Sequence, residues 1–250
     1  MTVHYLECTV DYIGAPVCCA FSFSQRDRFA MTITTVIFDM DGVLVDSEAY
    51  WLQARVEFAA ALGKTWTMDD QRAAMGRNTI EWAHVMQERL HLEGEMTLEA
   101  IMADVKGRVI AMLEQHLPAL PGALDAVHTA AANFRVALAS GSPTEVIQTV
   151  MRLTQLDAVF ETMVFGDTIP RGKPAPDIYL EAARRLGVAP EACIGIEDSG
   201  NGLRSLKAAG MKAIAVPSPG FPLSPELLAL ADVHLQSLLE FSPEVVRRLA

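Results

Sequence analysis

Two carboxylates, Asp39 and Asp41, stand two residues apart in Phe38-Asp39-Met40-Asp41-Gly42-Val43, just after the apolar, β-branched run Thr34-Thr35-Val36-Ile37. That run reads as a buried strand. Acidic side chains add nothing to a buried strand, and paired ones repel unless a cation lies between them. The end of a strand is also where open α/β sheets place their ligands. Three more polar clusters follow strand-like runs. Ser140-Gly141-Ser142 follows Val136-Ala137-Leu138-Ala139, Lys173 lies in Arg171-Gly172-Lys173-Pro174 after Val164-Phe165, and Glu197-Asp198 follows Cys193-Ile194-Gly195-Ile196. In a parallel sheet such ends share one edge, so these groups are expected to converge.

The set is sufficient for phosphoryl transfer. Asp39 and Asp198 offer hard oxygen ligands for Mg²⁺, with Glu197 in contact with the metal or one layer behind. A metal-neutralised Asp39 can attack phosphorus. Asp41 can protonate the leaving oxygen and later take a proton from water. The Ser140 hydroxyl and the Gly141 amide, where a helix begins, can hold phosphate oxygens. Lys173 adds a fixed positive charge where negative charge accumulates.

The remaining sequence is laid out to position these groups. From Pro121 onward, helices expected at 122–133, 143–154, 176–186 and 200–209 alternate with strands at 135–139, 162–165, 193–197 and 212–216, and short segments near 225–231 and 243–249 close the chain. Such alternation predicts an α/β fold with a doubly wound parallel sheet. Ser142-Pro143-Thr144-Glu145 reads as N-cap, first-position proline and capping-box glutamate, and Ser224-Pro225-Glu226 and Ser242-Pro243-Glu244 repeat the start.

A plain crossover between parallel strands needs about 30 residues, far fewer than separate Asp39 from Ser140. The excess reads as helices at 47–62, from Thr67, from Asn78 and over 97–116. Thr67/Asp70 and Asn78/Glu81 are spaced as capping pairs. Trp51, Ala54, Val56, Phe58, Ala61 and Leu62 are the apolar positions of the first of these helices. The expected organisation is a core at 31–47 and 119–250 with an all-helical cap at 48–118. Hinges near 45–47 and 116–121 would swing the cap as a lid over the sheet's carboxyl edge. Residues 1–30 show neither a helical period nor a secretory-signal layout, so Met31 is the expected natural start and 1–30 an extension without a fixed fold.

The 250 residues are 51% hydrophobic, enough for a substantial core, and carry a formal net charge of −11. The acidic balance argues against nucleic acid as a partner. No apolar run approaches a membrane span, so no membrane partner is expected. Four cysteines are too few for a disulfide scaffold at this length. Cys8, Cys18 and Cys19 lack a zinc spacing, and Cys193 reads as a small core residue. A cytoplasmic monomer is expected.

In order and type, Asp39-Met40-Asp41-Gly42, Ser140, Lys173 and Glu197-Asp198 resemble the four motifs of the haloacid dehalogenase superfamily of phosphotransferases. The resemblance runs from Thr34 to the end of the chain. Its helical cap between the first two motifs is that of the β-phosphoglucomutase-like subgroup. It implies that Asp39 is nucleophile and metal ligand. Asp41 would be the acid–base, with its backbone carbonyl on Mg²⁺. Ser140 and Lys173 would bind phosphate, and Asp198, assisted by Glu197, would bind the metal. The true dehalogenases of the superfamily lack the second aspartate and need no metal, so Asp41 argues against their chemistry.

The implied substrate is a small phosphorylated sugar or polyol. Mutases of the subgroup carry a His where Trp51 stands, and an Arg in the loop Met75-Gly76-Arg77-Asn78-Thr79 where an ungapped count gives Thr79. Asp46-Ser47-Glu48, Trp51 and Ala139-Ser140-Gly141-Ser142-Pro143 are similar instead to the 2-deoxyglucose-6-phosphate and hexitol phosphatases. Hydrolysis therefore ranks ahead of isomerisation of the β-phosphoglucomutase type, and a non-catalytic binding module on the same fold ranks third. Trp51, Arg77 and Asn78 are the candidate substrate contacts from the cap. Trp82 suits the cap core better than a sugar face. His84 and His91 are too far apart to chelate, and Pro174 removes the Ser/Thr that a P-loop requires after Gly172-Lys173.

Overall fold

The first strand, β1 (Thr35–Phe38), is buried on every residue and sits in the middle of the sheet. The computed structural model describes residues 32–75, 77–218 and 222–249. The expected extension at 1–30 lies outside the described residues, as do Cys8, Cys18 and Cys19.

Four helices separate β1 from the next strand: α1 (Glu48–Ala61), α2 (Met68–Ala74), α3 (Thr79–Arg89) and α4 (Leu98–Gln115). Then follow α5 (Ala123–Ala131), β2 (Arg135–Ser140), α6 (Thr144–Thr154), β3 (Thr162–Phe165), α7 (Asp177–Leu186), β4 (Cys193–Glu197), α8 (Gly200–Ala208) and β5 (Lys212–Ala215). Short α9 (Pro225–Leu228), β6 (Val233–His234) and α10 (Pro243–Arg247) complete it. The two-residue β6 is too short for its alternation to stand out in sequence. Among the described residues, no helix is long and apolar enough to cross a membrane.

The strand order is β3-β2-β1-β4-β5-β6, with every neighbouring pair parallel. The chain steps outward from β1 through β2 to β3, then crosses back to β4 on the other side of β1. That reversal opens a crevice at the carboxyl ends of β1 and β4, where a doubly wound sheet binds ligands. Register fixes the ends level: Phe38 lies opposite both Leu138 and Ile196, and the Asp39 amide donates to the Ile196 carbonyl at 3.1 Å.

Alternate strand residues feed two cores, as the period of two requires. Val36, Phe38, Leu138 and Ile196 pack toward α5 and α6, in one continuous cluster with the inserted helices. Ile37, Ala137, Ala139, Cys193 and Ala213 pack toward α7 and α8.

The inserted helices start as their sequence signals predict. Thr67 with Asp70, and Asn78 with Glu81, form reciprocal capping boxes. The chain leaves and re-enters the core side by side: Asp46 donates to Pro118 and Leu120 to Leu44, both at 2.9 Å. Two expectations need correction. On α1, Val56 is 41% exposed and Leu62, just past the helix, 37%, while Arg55 is 4% exposed, so the buried stripe is not purely apolar. Helix α6 begins at Thr144 without a serine cap. Asp167 instead accepts from the Thr144 amide at 3.0 Å and from its hydroxyl at 2.6 Å.

Helix α5 starts after Gly122, which has φ +78°. A Cβ there would lie 2.6 Å from the Leu239 backbone nitrogen. Gly122→Ala is therefore expected to lower the unfolding free energy by about 2 kcal/mol in urea titrations, combining a left-handed penalty with a backbone overlap.

Candidate active site

The site is built on a buried ammonium. Lys173 is carried by the loop that follows β3. Its Nζ donates to Asp39 Oδ1 at 2.8 Å and to Glu197 Oε1 at 2.5 Å, with all three side chains less than a tenth exposed. The hydroxyl of Tyr179, on α7, donates to the same Glu197 oxygen at 2.6 Å. The other oxygen accepts from the Ser199 hydroxyl at 3.0 Å and its amide at 3.3 Å. Glu197 is thus a fully occupied acceptor that fixes Lys173 against Asp39. Burial alone would lower the Lys173 pKa, but Asp39 and Glu197 more than reverse that and raise it above the ordinary lysine value.

Asp41 faces different partners. Turn hydrogen bonds fold the chain back after β1, with the Gly42 amide on Val45 and the Leu44 amide on Met40, both at 2.8 Å. Four donors converge on the Asp41 carboxylate: Ser142 Oγ at 2.8 Å, Ser140 Oγ at 3.1 Å, Trp51 Nε1 at 3.3 Å, and Ser47 Oγ. This explains why Ser142 does not cap α6: its hydroxyl is taken by a carboxylate, the stronger acceptor. Ser140 is wholly buried and also accepts from the Ser142 amide at 3.1 Å. Gly141 and Ser142, not Ser140, form the cavity wall at this strand end.

Asp39, Glu197 and Asp198 each offer a carboxylate oxygen within 4.8 Å of the others. Gly42, at φ +76°, lets Asp198 pack against the β1 loop, since a Cβ there would overlap its carboxylate. Burial, outweighing Lys173, pushes the Asp39 carboxyl up to about 8. Burial, then the Glu197 and Asp39 charges, pushes Asp198 well above the carboxylate range. Three carboxylates thus face a single ammonium in a donor set made only of hard oxygens. These residues fit Mg²⁺, with Asp39 and Asp198 on the cavity wall and Glu197 behind them, engaged with Lys173.

These groups floor a cavity of about 310 Å³, of small-molecule size. The inserted helices roof it with Glu48, Trp51, Arg55 and Trp82, Arg77 joins them from the segment between α2 and α3, and Arg204 flanks it from α8. Trp51 and Trp82 are 4% and 2% exposed, with ring centroids 5.9 Å apart. Both are packed walls rather than open stacking platforms. Arg77 reaches the cavity and donates to the Ala73 carbonyl at 2.6 Å. The expectation for Asn78 is corrected. It is 1% exposed, caps α3 and donates to the Ile169 carbonyl at 3.3 Å, because the start of α3 docks on the Lys173 loop instead of the cavity.

Sequence reading missed Glu48 and Arg55. Burial, partly offset by Arg55, pushes Glu48 up to about 7, and burial brings Arg55 down to about 10. Their spacing with Trp51, i, i+3 and i+7, was the available signal, masked by the habit of reading charged helix positions as solvated.

Residues 33–210 match the haloacid dehalogenase-like hydrolase family. The chain is 34% identical over 212 residues to hexitol phosphatase B of Escherichia coli K12, covering 84% of this chain and 95% of that protein. It is 35% identical over 180 residues to a phosphorylated carbohydrates phosphatase of Thermotoga maritima, covering 72% of this chain and 82% of that one. The crystal structure of CbbY from Rhodobacter sphaeroides in complex with phosphate superposes with a TM-score of 0.75 at 27% identity, over 87% of this chain and 100% of that one. The chain belongs to the haloacid dehalogenase-like hydrolases.

Removing the ammonium leaves the wholly buried Glu197 carboxylate, beside Asp39, without its counter-charge. Lys173→Met is expected to cost about 3 kcal/mol of unfolding free energy at neutral pH. Urea denaturation of the metal-free protein measures it.

Proposed function

We propose that this chain is a Mg²⁺-dependent phosphatase acting on a small phosphorylated sugar or polyol through an aspartyl-phosphate on Asp39. The observation that carries the reading is Lys173 Nζ at 2.8 Å from Asp39, with Asp41 and Asp198 on the wall of the same cavity. The names of the two bacterial phosphatases support the substrate class.

A phosphate monoester enters with its oxygens toward Lys173, the Gly141 amide and Ser142. Asp39 attacks phosphorus, and the bond from phosphorus to the ester oxygen breaks. Asp41 gives its proton to that oxygen, and the alcohol departs. Asp41 then takes a proton from water as the water attacks phosphorus. The bond to Asp39 breaks, releasing inorganic phosphate and restoring both carboxyl groups. Trp51, Ser47, Ser140 and Ser142 hold Asp41 in place; Ser140 reaches phosphate only by giving up its bond to Asp41. Lys173 balances charge on the phosphoryl oxygens and keeps Asp39 oriented. Asp39, Asp198 and the Asp41 backbone carbonyl, with Glu197 behind, would hold Mg²⁺, and the bound ion would supply the positive charge that lets an anionic nucleophile approach an anionic ester.

Isomerisation would use the same intermediate. Time-resolved product analysis on glucose 1-phosphate separates the two: free phosphate is expected, and glucose 6-phosphate would assign a mutase. Magnesium-dependent release of phosphate from an aryl phosphate is also expected; complete inactivity there would favour a binding module. Asp39→Asn and Asp41→Asn should each lower kcat at least about a hundredfold with little change in Tm. Near-normal turnover by Asp39→Asn would refute the nucleophile.

The raised Asp39 pKa gives a second test. Burial raises the Asp39 pKa above the ordinary carboxylate value, so protons compete with a cation for this carboxylate. Mg²⁺ affinity is expected to rise as pH goes from about 6 to about 8, with proton release. Calorimetry in buffers of different ionisation enthalpy measures both; a Kd independent of pH would contradict ligation by Asp39.

A further inference from the structure

Arg55 is 4% exposed, yet no carboxylate among the described residues lies within 4.0 Å of its guanidinium. Its Nη1 donates to Gln71 Oε1 at 3.1 Å, while its Nε finds no acceptor among the described residues. The guanidinium carbon lies 5.2 Å and 5.5 Å from the ring centroids of Trp51 and Trp82. Gln71 is shared: Oε1 also accepts from Trp66 Nε1 at 3.0 Å, and its amide nitrogen reaches Glu48 Oε2 at 3.5 Å. Glu48 and Arg55 therefore stand two turns apart on one face of α1, both on the cavity wall. They are linked through Gln71 rather than paired with each other.

A buried guanidinium with an unused donor is costly to the free protein. The cost makes sense where a ligand completes the bonding. Glu48 can only accept when ionised and Arg55 can only donate. A hydroxyl does both, giving its hydrogen to Glu48 and taking one from Arg55, and neighbouring hydroxyls satisfy the two groups together. A carboxylate or second phosphate would meet Arg55 but be repelled by Glu48. An alkyl chain would leave both unpaired.

We propose that Glu48 and Arg55 are a specificity-determining pair that recognises hydroxyl groups at the end of the substrate remote from phosphate. The inference rests on the phosphatase reading above, and it assigns the cavity to a hydroxylated carbon chain over a bare one.

The test compares kcat/KM of the magnesium-loaded enzyme for a hexitol 6-phosphate and for butyl phosphate, in the wild type, Glu48→Gln and Arg55→Met, with Tm recorded for each. The wild type is expected to prefer the hexitol phosphate, and the ratio of the two values to fall about ten- to hundredfold in each variant. Glu48→Gln replaces one atom and keeps the readout available should Arg55→Met fail to fold. Equal losses on both substrates would make the pair structural and overturn the inference, as would an unchanged ratio. A wild-type preference for 2-phosphoglycolate that Arg55→Met abolishes would assign Arg55 to an anion and overturn it too. Wild-type hydrolysis of butyl phosphate with no preference for the hexitol ester overturns this inference alone. Hydrolysis of neither ester overturns the phosphatase reading and this inference with it.

Discussion

One buried ammonium holds the centre together. Lys173 is the only cation in contact with Asp39 and Glu197 among the described residues, and it sits 5.1 Å from the Tyr179 ring centroid. Two carboxylates buried this closely repel strongly without a charge between them. The ammonium makes the cluster tolerable but does not neutralise it, since Asp198 adds a third carboxylate nearby. The surplus negative charge is what makes the site fit a hard divalent ion. The fixed positive charge is what makes it fit a phosphoryl group. Both properties follow from one lysine whose geometry is set by Glu197, Tyr179 and Ser199 behind it.

That lysine is also where the sheet and the inserted helices meet. The Gly172 amide donates to Glu81 Oε1 at 3.4 Å, and the Asn78 side chain donates to Ile169 at 3.3 Å. Glu81 and Asn78 are the two halves of the α3 capping box. A Cβ at Gly172 would stand 2.7 Å from the Asn78 nitrogen, so glycine at that position lets α3 rest on the loop. The residue that opens α3 and the residue that balances Asp39 thus share a few residues of backbone. Placement of the roof and placement of the buried ammonium are mechanically linked.

The strand-end motifs were legible because they break the pattern around them. Asp39, Asp41, Glu197 and Asp198 are charged groups at or just past the ends of strands that bury every side chain, and register puts those ends on one edge; Lys173 comes from the longer loop after β3 and stood out by its Gly-Lys-Pro setting. The capping boxes at Thr67 and Asn78 were legible for a similar reason: they depend on contacts three residues apart. What failed depended on competition between distant groups. Ser142 has the local chemistry of an N-cap, but Asp41, remote in sequence, takes its hydroxyl. Asn78 reads equally well as a cap and as a substrate contact, and only the docking of α3 on the Lys173 loop decides. Arg55 was invisible because its environment comes from Gln71 and two tryptophans on three different helices. An amphipathic pattern treats every arginine as exposed.

Net charge gives the last contrast. At −11 the chain as a whole repels anions, yet its cavity is bordered by Arg55, Arg72, Arg77, Arg204 and Lys173. The potential that guides a ligand is the local one, focused by the low-dielectric walls of a cleft. The border arginines differ in how much of their charge is free. Arg72 pairs with Asp69 at 2.5 Å, whereas Arg77 bonds a backbone carbonyl at 2.6 Å and Arg204 contacts the neutral Asn201 at 3.4 Å. The cavity lining therefore offers positive charge beside the carboxylates of its floor.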